Sequence, residues 1–282
     1  MILVRAWREH WPEYLIEGWA LGTFMLSASV VVVLLESRQL PFRELVPSPL
    51  LRRMLVGMAM GLTALGLIYS RWGRQSGAHM NPAVTLAFVR LGLVRPVDGA
   101  FYMLSQVVGG VLGVLGGFLL TAGMLASPEA RWVVTVPGAS GPFVAFAVEF
   151  LMAMILMLVV LRFSSSPSLR RFTGCAAALM VAIFITLAAP YSGMSINPAR
   201  TLASAIPSQI WTAFWVYLLA PPLGMVAAAQ ANHWQSGGRL NHCAKLCHDG
   251  HSRCIHCGYT PSKDGTIANT LRLELPARRS HV

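Results

Sequence analysis

Asparagine, proline and alanine stand together twice, at Asn81, Pro82 and Ala83 and again at Asn197, Pro198 and Ala199. The surrounding stretches SGAHMNPAVT (76–85) and SGMSINPART (192–201) agree at six of ten positions, at an offset of 116 residues. Asparagine is a strong helix N-cap, and proline is favoured at the first helical position, where its missing N–H costs nothing. Each triplet therefore starts a helix and leaves side-chain amide donors beside the positive end of a helix dipole. Arg200 adds a fixed cation one turn away. This chemistry is hydrogen-bond donation to a neutral acceptor combined with repulsion of cations. No nucleophile–base constellation accompanies it, so catalytic residues are absent from the reading and an enzyme is disfavoured.

A second group of reactive side chains lies near the C-terminus. Four of the five cysteines and four histidines fall within residues 242–257 (HCAKLCHDGHSRCIHC). Cys243 and Cys247 are separated by three residues, and Cys254 and Cys257 by two, with six residues between the pairs. This spacing suits a small tetrahedral zinc knuckle with Cys243, Cys247, Cys254 and Cys257 as ligands. His248, His251 or His256 could each replace one of them. The alternative is a tail that binds no metal. Cys175 sits in an apolar run and reads as a small packing residue.

The elements that must position these groups are apolar. The chain of 282 residues is 55% hydrophobic and only 12% charged, about half the charge of a soluble domain. Long uncharged runs cover 18–35, 54–70, 99–127, 132–161 (broken only by Glu149), 172–199 and 201–232. A helix needs about 20 apolar residues to cross a bilayer, so the expectation is an all-α membrane protein with six transmembrane helices. Spans 1–3 are expected near 14–36, 52–70 and 98–122. A cytoplasmic N-terminal segment covers 1–13, and a membrane domain covers 14–232, with a first repeat at 14–125 and a second at 143–232. A cytoplasmic Cys/His-rich tail follows at 233–282. Three spans per repeat is an odd number, so the halves sit in opposite orientations and share a site near the bilayer midplane.

The net charge of +11 does not indicate nucleic acid, because the basic residues follow the topology. Arg5 and Arg8, the loops holding Arg71, Arg74, Arg90, Arg95, Arg162, Arg170 and Arg171, and the tail all fall on one side of a six-span arrangement. The positive-inside rule makes that side cytoplasmic. Arg38, Arg43, Arg52 and Arg53 dissent, with Arg52 and Arg53 read as snorkelling at the start of span 2. The N-terminal apolar run is too long for a cleavable signal. Two lysines against twenty arginines suggest a GC-rich, bacterial source and hence an inner (plasma) membrane.

The residues after each Asn-Pro-Ala are apolar but too few to span, roughly 12 Å for eight residues at 1.5 Å each. A second short helix is expected from Pro198 to about Ile206, stopped by Pro207. Two such half-helices entering from opposite faces meet N-terminus to N-terminus. Asn81 and Asn197 then point at one spot, and the non-helical approach chain must line a cavity. That is a pore for water or small uncharged solutes that bars ions and protons.

The paired motif, the SGAH before the first copy and Arg200 after the second resemble the aquaporin, or major intrinsic protein, family over roughly residues 14–232. The resemblance implies an inverted 3+3 repeat of six spans and two half-helices, a homotetramer in the lipid bilayer, one pore per subunit and no cofactor for transport. It also implies that Glu149 holds the backbone of the Asn197 loop, and it makes Glu17 the first-half candidate for that role, although the spacing departs from the family's. His79 either bonds the loop or touches the permeant. Gln106 and Gly224 resemble helix-contact positions. The family's four-residue selectivity constriction carries over as Arg200, Met194, Ile185 (with Thr186 as neighbour) and, in span 2, Met60 by motif matching or Gly61 by strict count. The markers of permeant type disagree. The histidine and small polar residue usual beside the arginine of water pores are missing, and Thr201 stands where glycerol pores usually carry aspartate. Tyr217 resembles a water-type aromatic, while Leu218 replaces the usual tryptophan. The reading is a water and small-solute channel. Its alternatives are a glycerol or other neutral-solute channel gated by the metal-binding tail, and a non-conducting scaffold.

Overall fold

The computed structural model describes residues 2–236, 243–248 and 252–260, and the described residues form helices and turns without a strand. In chain order the helices are α1 (Ile2–Glu36), the single-turn α2 (Phe42–Leu45), α3 (Pro49–Tyr69), α4 (Arg71–Ser76), α5 (Pro82–Arg90), α6 (Pro96–Leu120), α7 (Gly141–Ser165), α8 (Thr173–Ser192), α9 (Pro198–Ser208) and α10 (Phe214–Gln235). Six of them, α1, α3, α6, α7, α8 and α10, are long and apolar enough to cross a membrane. The protein is thus an all-α membrane protein with six spans and two half-helices, α5 and α9.

Two boundaries differ from the sequence expectation. The first helix begins at Ile2 rather than near residue 14, so the Trp-bearing lead-in continues the span as one helix with Pro12 inside it. Pro207 does not end α9; it sits in the last turn, and the helix stops at Ser208 where Gln209 turns left-handed at φ 57°. The carbonyl four residues before Pro207 is the one bond that proline forgoes, a loss a terminal turn tolerates.

The second half repeats the first. Helices α7, α8, α9 and α10 follow the order of α1, α3, α5 and α6; α1 packs on α6 as α7 packs on α10, and α3 meets α8 across the halves. Each half-helix leans on the last span of the other half, α5 on α10 and α9 on α6. Lipid offers no hydrophobic drive for helix association, so close backbone packing through small residues takes its place. A Cβ at Gly109 or Gly113 would overlap the carbonyl of Gly18 or Gly22, and one at Gly224 would overlap that of Phe150. The outer face of α6 carries Leu104, Val108, Leu112, Leu115 and Leu119 exposed at helical spacing, as a lipid-facing surface requires.

Candidate functional site

Both Asn-Pro-Ala triplets start their helices as the local chemistry predicts. The Asn81 Oδ1 accepts from the Ala83 N–H at 2.8 Å, and the Asn197 Oδ1 accepts from the N–H groups of Ala199 and Arg200 at 3.1 and 3.2 Å. Pro82 and Pro198 occupy the first helical position, and Ala83 and Ala199 are fully buried behind them. The amide nitrogens then cross between the halves. Asn81 Nδ2 donates to the Ile196 carbonyl at 2.7 Å, and Asn197 Nδ2 donates to the Met80 carbonyl at 2.7 Å. Met80 and Ile196 are themselves related by the 116-residue offset. An amide carries two N–H donors, so one on each asparagine remains for a molecule in the cavity that both residues line.

The chain entering each triplet is bent the same way in both halves. Gly77, Ala78 and Met80 have φ of 106°, 54° and 49°, and Gly193, Met194 and Ile196 have 76°, 49° and 49°. Left-handed backbone at a non-glycine residue costs on the order of 1–3 kcal/mol and persists only where the surroundings enforce it. A buried carboxylate does so in each half. Glu17 accepts from Ser76 Oγ (2.7 Å), the N–H groups of His79 (3.0 Å) and Met80 (2.7 Å), and Gln106 Nε2 (2.8 Å). Glu149 accepts from Ser192 Oγ (2.7 Å) and the N–H groups of Ser195 (2.8 Å) and Ile196 (2.6 Å). The two glutamates are equivalent. The first half simply carries a longer connection at 37–48 and the extra helix α4 between its glutamate and its triplet.

Tyrosines complete each frame: Tyr102 Oη donates to the Ser76 carbonyl at 2.7 Å and Tyr217 Oη to that of Ser192 at 2.6 Å. Tyr102 escaped the sequence reading. Its separation of 115 residues from Tyr217, almost the motif offset, is the signal that points to it. His79 lies in the loop with Nδ1 3.1 Å from Thr85 Oγ1 and Nε2 2.9 Å from the Ala244 carbonyl, and its ring stacks on Phe88.

A cavity of about 330 Å³ passes the asparagine pair. Met60, Ile185, Met194 and Arg200 all line it. Of the two span 2 candidates Met60 lines the cavity, whereas a Cβ on Gly61 would sit 2.9 Å from the Ala178 carbonyl of α8. Ile185 rather than Thr186 faces the cavity; the Thr186 hydroxyl bonds the Ala182 carbonyl and lies beside Gly57. Arg200 Nη1 donates to the Val133 carbonyl at 2.7 Å. That carbonyl belongs to a left-handed turn, Arg131–Val133, with φ of 44°, 55° and 50°, pinned by Trp132 stacked on Phe118 at 4.7 Å. This stretch falls between the repeats at 14–125 and 143–232, outside the residues the sequence singled out. At the same end Arg52 does not snorkel: it pairs with Glu36 at 3.0 Å and donates to the carbonyls of Val46 and Pro47. Arg53 lines the cavity mouth.

Among the described residues, the tail brings together Cys243, His248, Cys254 and Cys257, whose ligand atoms all lie within 4.8 Å of one another. Cys243 and Cys254 approach to 3.4 Å, as do His248 Nε2 and Cys257 Sγ. The expected ligand Cys247 is not in the group; it packs against the bundle's apolar core, and the adjacent His248 turns inward instead. Hydrogen bonding among these sulfurs holds Cys257 and Cys254 below the usual thiol range and pushes Cys243 above it. Three cysteine sulfurs and one imidazole nitrogen make a donor set suited to a thiophilic cation. His251 lies outside the described residues.

A family model described as "Major intrinsic protein" matches residues 10–231. The chain is 32% identical to Aquaporin NIP1-2 of Arabidopsis thaliana over 178 residues, covering 62% of this chain and 60% of that protein. It is 36% identical to Aquaporin NIP2-3 of Zea mays over 174 residues (61% and 55%) and 37% identical to Aquaporin NIP6-1 of Arabidopsis thaliana over 178 residues (62% and 56%). The chain thus spans 60% or less of the length of these relatives. The X-ray structure of the aquaglyceroporin from Plasmodium falciparum superposes with a TM-score of 0.66 at 21% identity, over 78% of this chain and 94% of that one, a likeness of fold.

Proposed function

The chain belongs to the major intrinsic protein family of membrane channels, and we propose that it is a passive channel for water and small uncharged solutes that excludes ions and protons. The observation that carries the proposal is the crossed pair of Asn81 and Asn197, each spending one amide N–H on the opposite loop and keeping one for the cavity. A water oxygen that accepts from both amides has no lone pair left for its neighbour's proton, so a proton relay breaks there. The two helix N-termini and Arg200 repel cations at the same level and one turn beyond it. Met60, Ile185 and Met194 offer few acceptors, so a charged solute loses its hydration there without replacement. These three residues and Arg200 form the selectivity constriction in this reading; Glu17, Glu149 and His79 support the loops.

The channel occupies residues 14–232, and 233–282 form a tail. Basic residues gather on the tail side, which makes both termini cytoplasmic. The arginine-rich composition favours a bacterial inner membrane, and the protomers assemble as homotetramers. The reading assigns the protein no catalytic role and no cofactor in transport.

Stopped-flow swelling of proteoliposomes with water, glycerol, urea and ammonia tests the proposal, with the tail intact and with residues 237–282 deleted. Flux of water and at least one solute above empty liposomes, without proton leak, is expected. No flux from either form would leave a non-conducting scaffold as the reading.

A further inference from the structure

The described residues of the tail beyond α10, 243–248 and 252–260, lie against the bundle. Leu246 N–H donates to the Gly77 carbonyl at 3.1 Å, and His79 Nε2 meets the Ala244 carbonyl at 2.9 Å, so residues 244–246 run along the approach to the first half-helix. Ala244 is fully buried, and Leu246 is buried and lines the same cavity as Arg200. Further out, Arg253 grips the buried Glu13 through Nε and Nη2 at 2.8 and 2.7 Å, and Lys245 Nζ donates to the Arg253 carbonyl at 2.8 Å. The His256 ring stacks on His79 at 5.7 Å and 9°.

We propose that Cys243, His248, Cys254 and Cys257 bind one Zn²⁺, and that this metal clasps the tail as a plug in the cytoplasmic mouth, so that the zinc-loaded protein is closed and metal loss opens it. The inference rests on the channel reading above. Three thiols and one imidazole within 4.8 Å match a tetrahedral shell, in which Zn–S bonds of about 2.3 Å set sulfurs about 3.8 Å apart. Thiolate and imidazole select zinc over the hard cations magnesium and calcium. The described residues of the plug are 243–248 and 252–260. So small a unit is hard pressed to build a core of its own; among its described residues Ala244, Lys245, Leu246 and Cys254 are buried, and Ala244 and Leu246 belong to the bundle's apolar core. Metal binding therefore supplies the order that docking requires. Docking in turn uses up the Gly77 carbonyl and the outer nitrogen of His79, the polar groups a permeant would meet on entering from this side. Leu246 places an apolar side chain in its path.

The test uses the full chain in proteoliposomes. Cobalt titration is expected to give one equivalent with thiolate-to-metal absorption, lost in Cys254→Ser and kept in Cys247→Ser; absence of stoichiometric binding overturns the metal site. Water permeability is expected to rise at least about tenfold, about 1.4 kcal/mol of docking free energy, when a membrane-permeant chelator removes zinc or residues 237–282 are deleted. Arg253→Glu is expected to give the same rise while cobalt binding stays intact. Equal, non-zero permeability in loaded, stripped and truncated protein overturns the plug. Hydrogen–deuterium exchange separates this failure from that of the channel reading. Residues 243–248 are expected to be protected with zinc and exposed without it, whether or not any form conducts, and identical exchange in both states overturns the clasp.

Discussion

Replacing Glu149 by glutamine exchanges one carboxylate oxygen for an amide N–H₂ at nearly constant volume. The side chain can keep its remaining oxygen toward Ser192 Oγ and the Ser195 N–H, which share Oε1. Its nitrogen then faces the Ile196 N–H, donor against donor, where a 2.6 Å bond stood. A hydrogen bond to a charged acceptor is worth about 1.5–3 kcal/mol, and a buried unpaired N–H costs about 1–3 kcal/mol. These overlap, because they describe the same broken contact, so Glu149→Gln is expected to destabilise by about 2–4 kcal/mol. The effect should also reach the pore, since the Ile196 carbonyl receives the Asn81 amide and Ile196 holds a left-handed φ. Equilibrium unfolding in mixed micelles measures the first quantity, and single-channel water permeability of folded protein the second. A double-mutant cycle with Asn81→Ala isolates the link, with a coupling of about 0.5–3 kcal/mol expected for residues in one network. Stability within about 0.5 kcal/mol of the parent, with permeability unchanged, would refute the claim that the carboxylate enforces the loop. Glu17→Gln offers a contrast: Gln106 Oε1 has no hydrogen-bond partner among the described residues, so a flip of Gln106 can accept from the new amide and soften the loss.

Three further substitutions probe the constriction. Arg200→Ala removes both the cation and the bond to the Val133 carbonyl, and should raise glycerol and urea permeability relative to water and admit protons; an unchanged permeability ratio in the swelling assay would count against the placement. Met60→Ala should widen the cavity and raise the glycerol-to-water ratio with modest loss of stability. Gly61→Ala should do the reverse, driving a methyl to 2.9 Å of the Ala178 carbonyl and costing about 1–3 kcal/mol while leaving selectivity alone. If Gly61→Ala alters selectivity and Met60→Ala does not, the facing of α3 has been misassigned.

What the chain declares in one dimension is whatever depends on near neighbours or on length. The two half-helices are legible because an asparagine cap bonds N–H groups two and three residues ahead, a contact that needs no partner from elsewhere. The six spans are legible because a bilayer demands uncharged runs of helix, and the inverted repeat follows from the 116-residue offset and an odd number of spans. Contacts between distant segments are another matter. The asparagine amides could have faced each other in many ways; that each lands on the carbonyl before the other triplet depends on how two loops, 115 to 117 residues apart, pack. Glu17 could not be matched to Glu149 by counting, because connections of different length separate each from its loop. The left-handed turn at Arg131–Val133 carries no local signature that ties it to Arg200.

Facing is decided at the same level. Adjacent residues on a helix point about 100° apart, so Met60 lines the cavity and Gly61 meets α8, a distinction that motif counting left open. In the tail, His248 rather than Cys247 joins the cysteines, because packing of residue 247 against the bundle turns its neighbour toward the group. Residue types and spacing thus determined that this chain would build a pore and carry a thiophilic cluster. Only the tertiary structure set the cluster against the approach to the first half-helix, since that depends on a salt bridge between Glu13 and Arg253, 240 residues apart, and on backbone bonds no sequence pattern encodes.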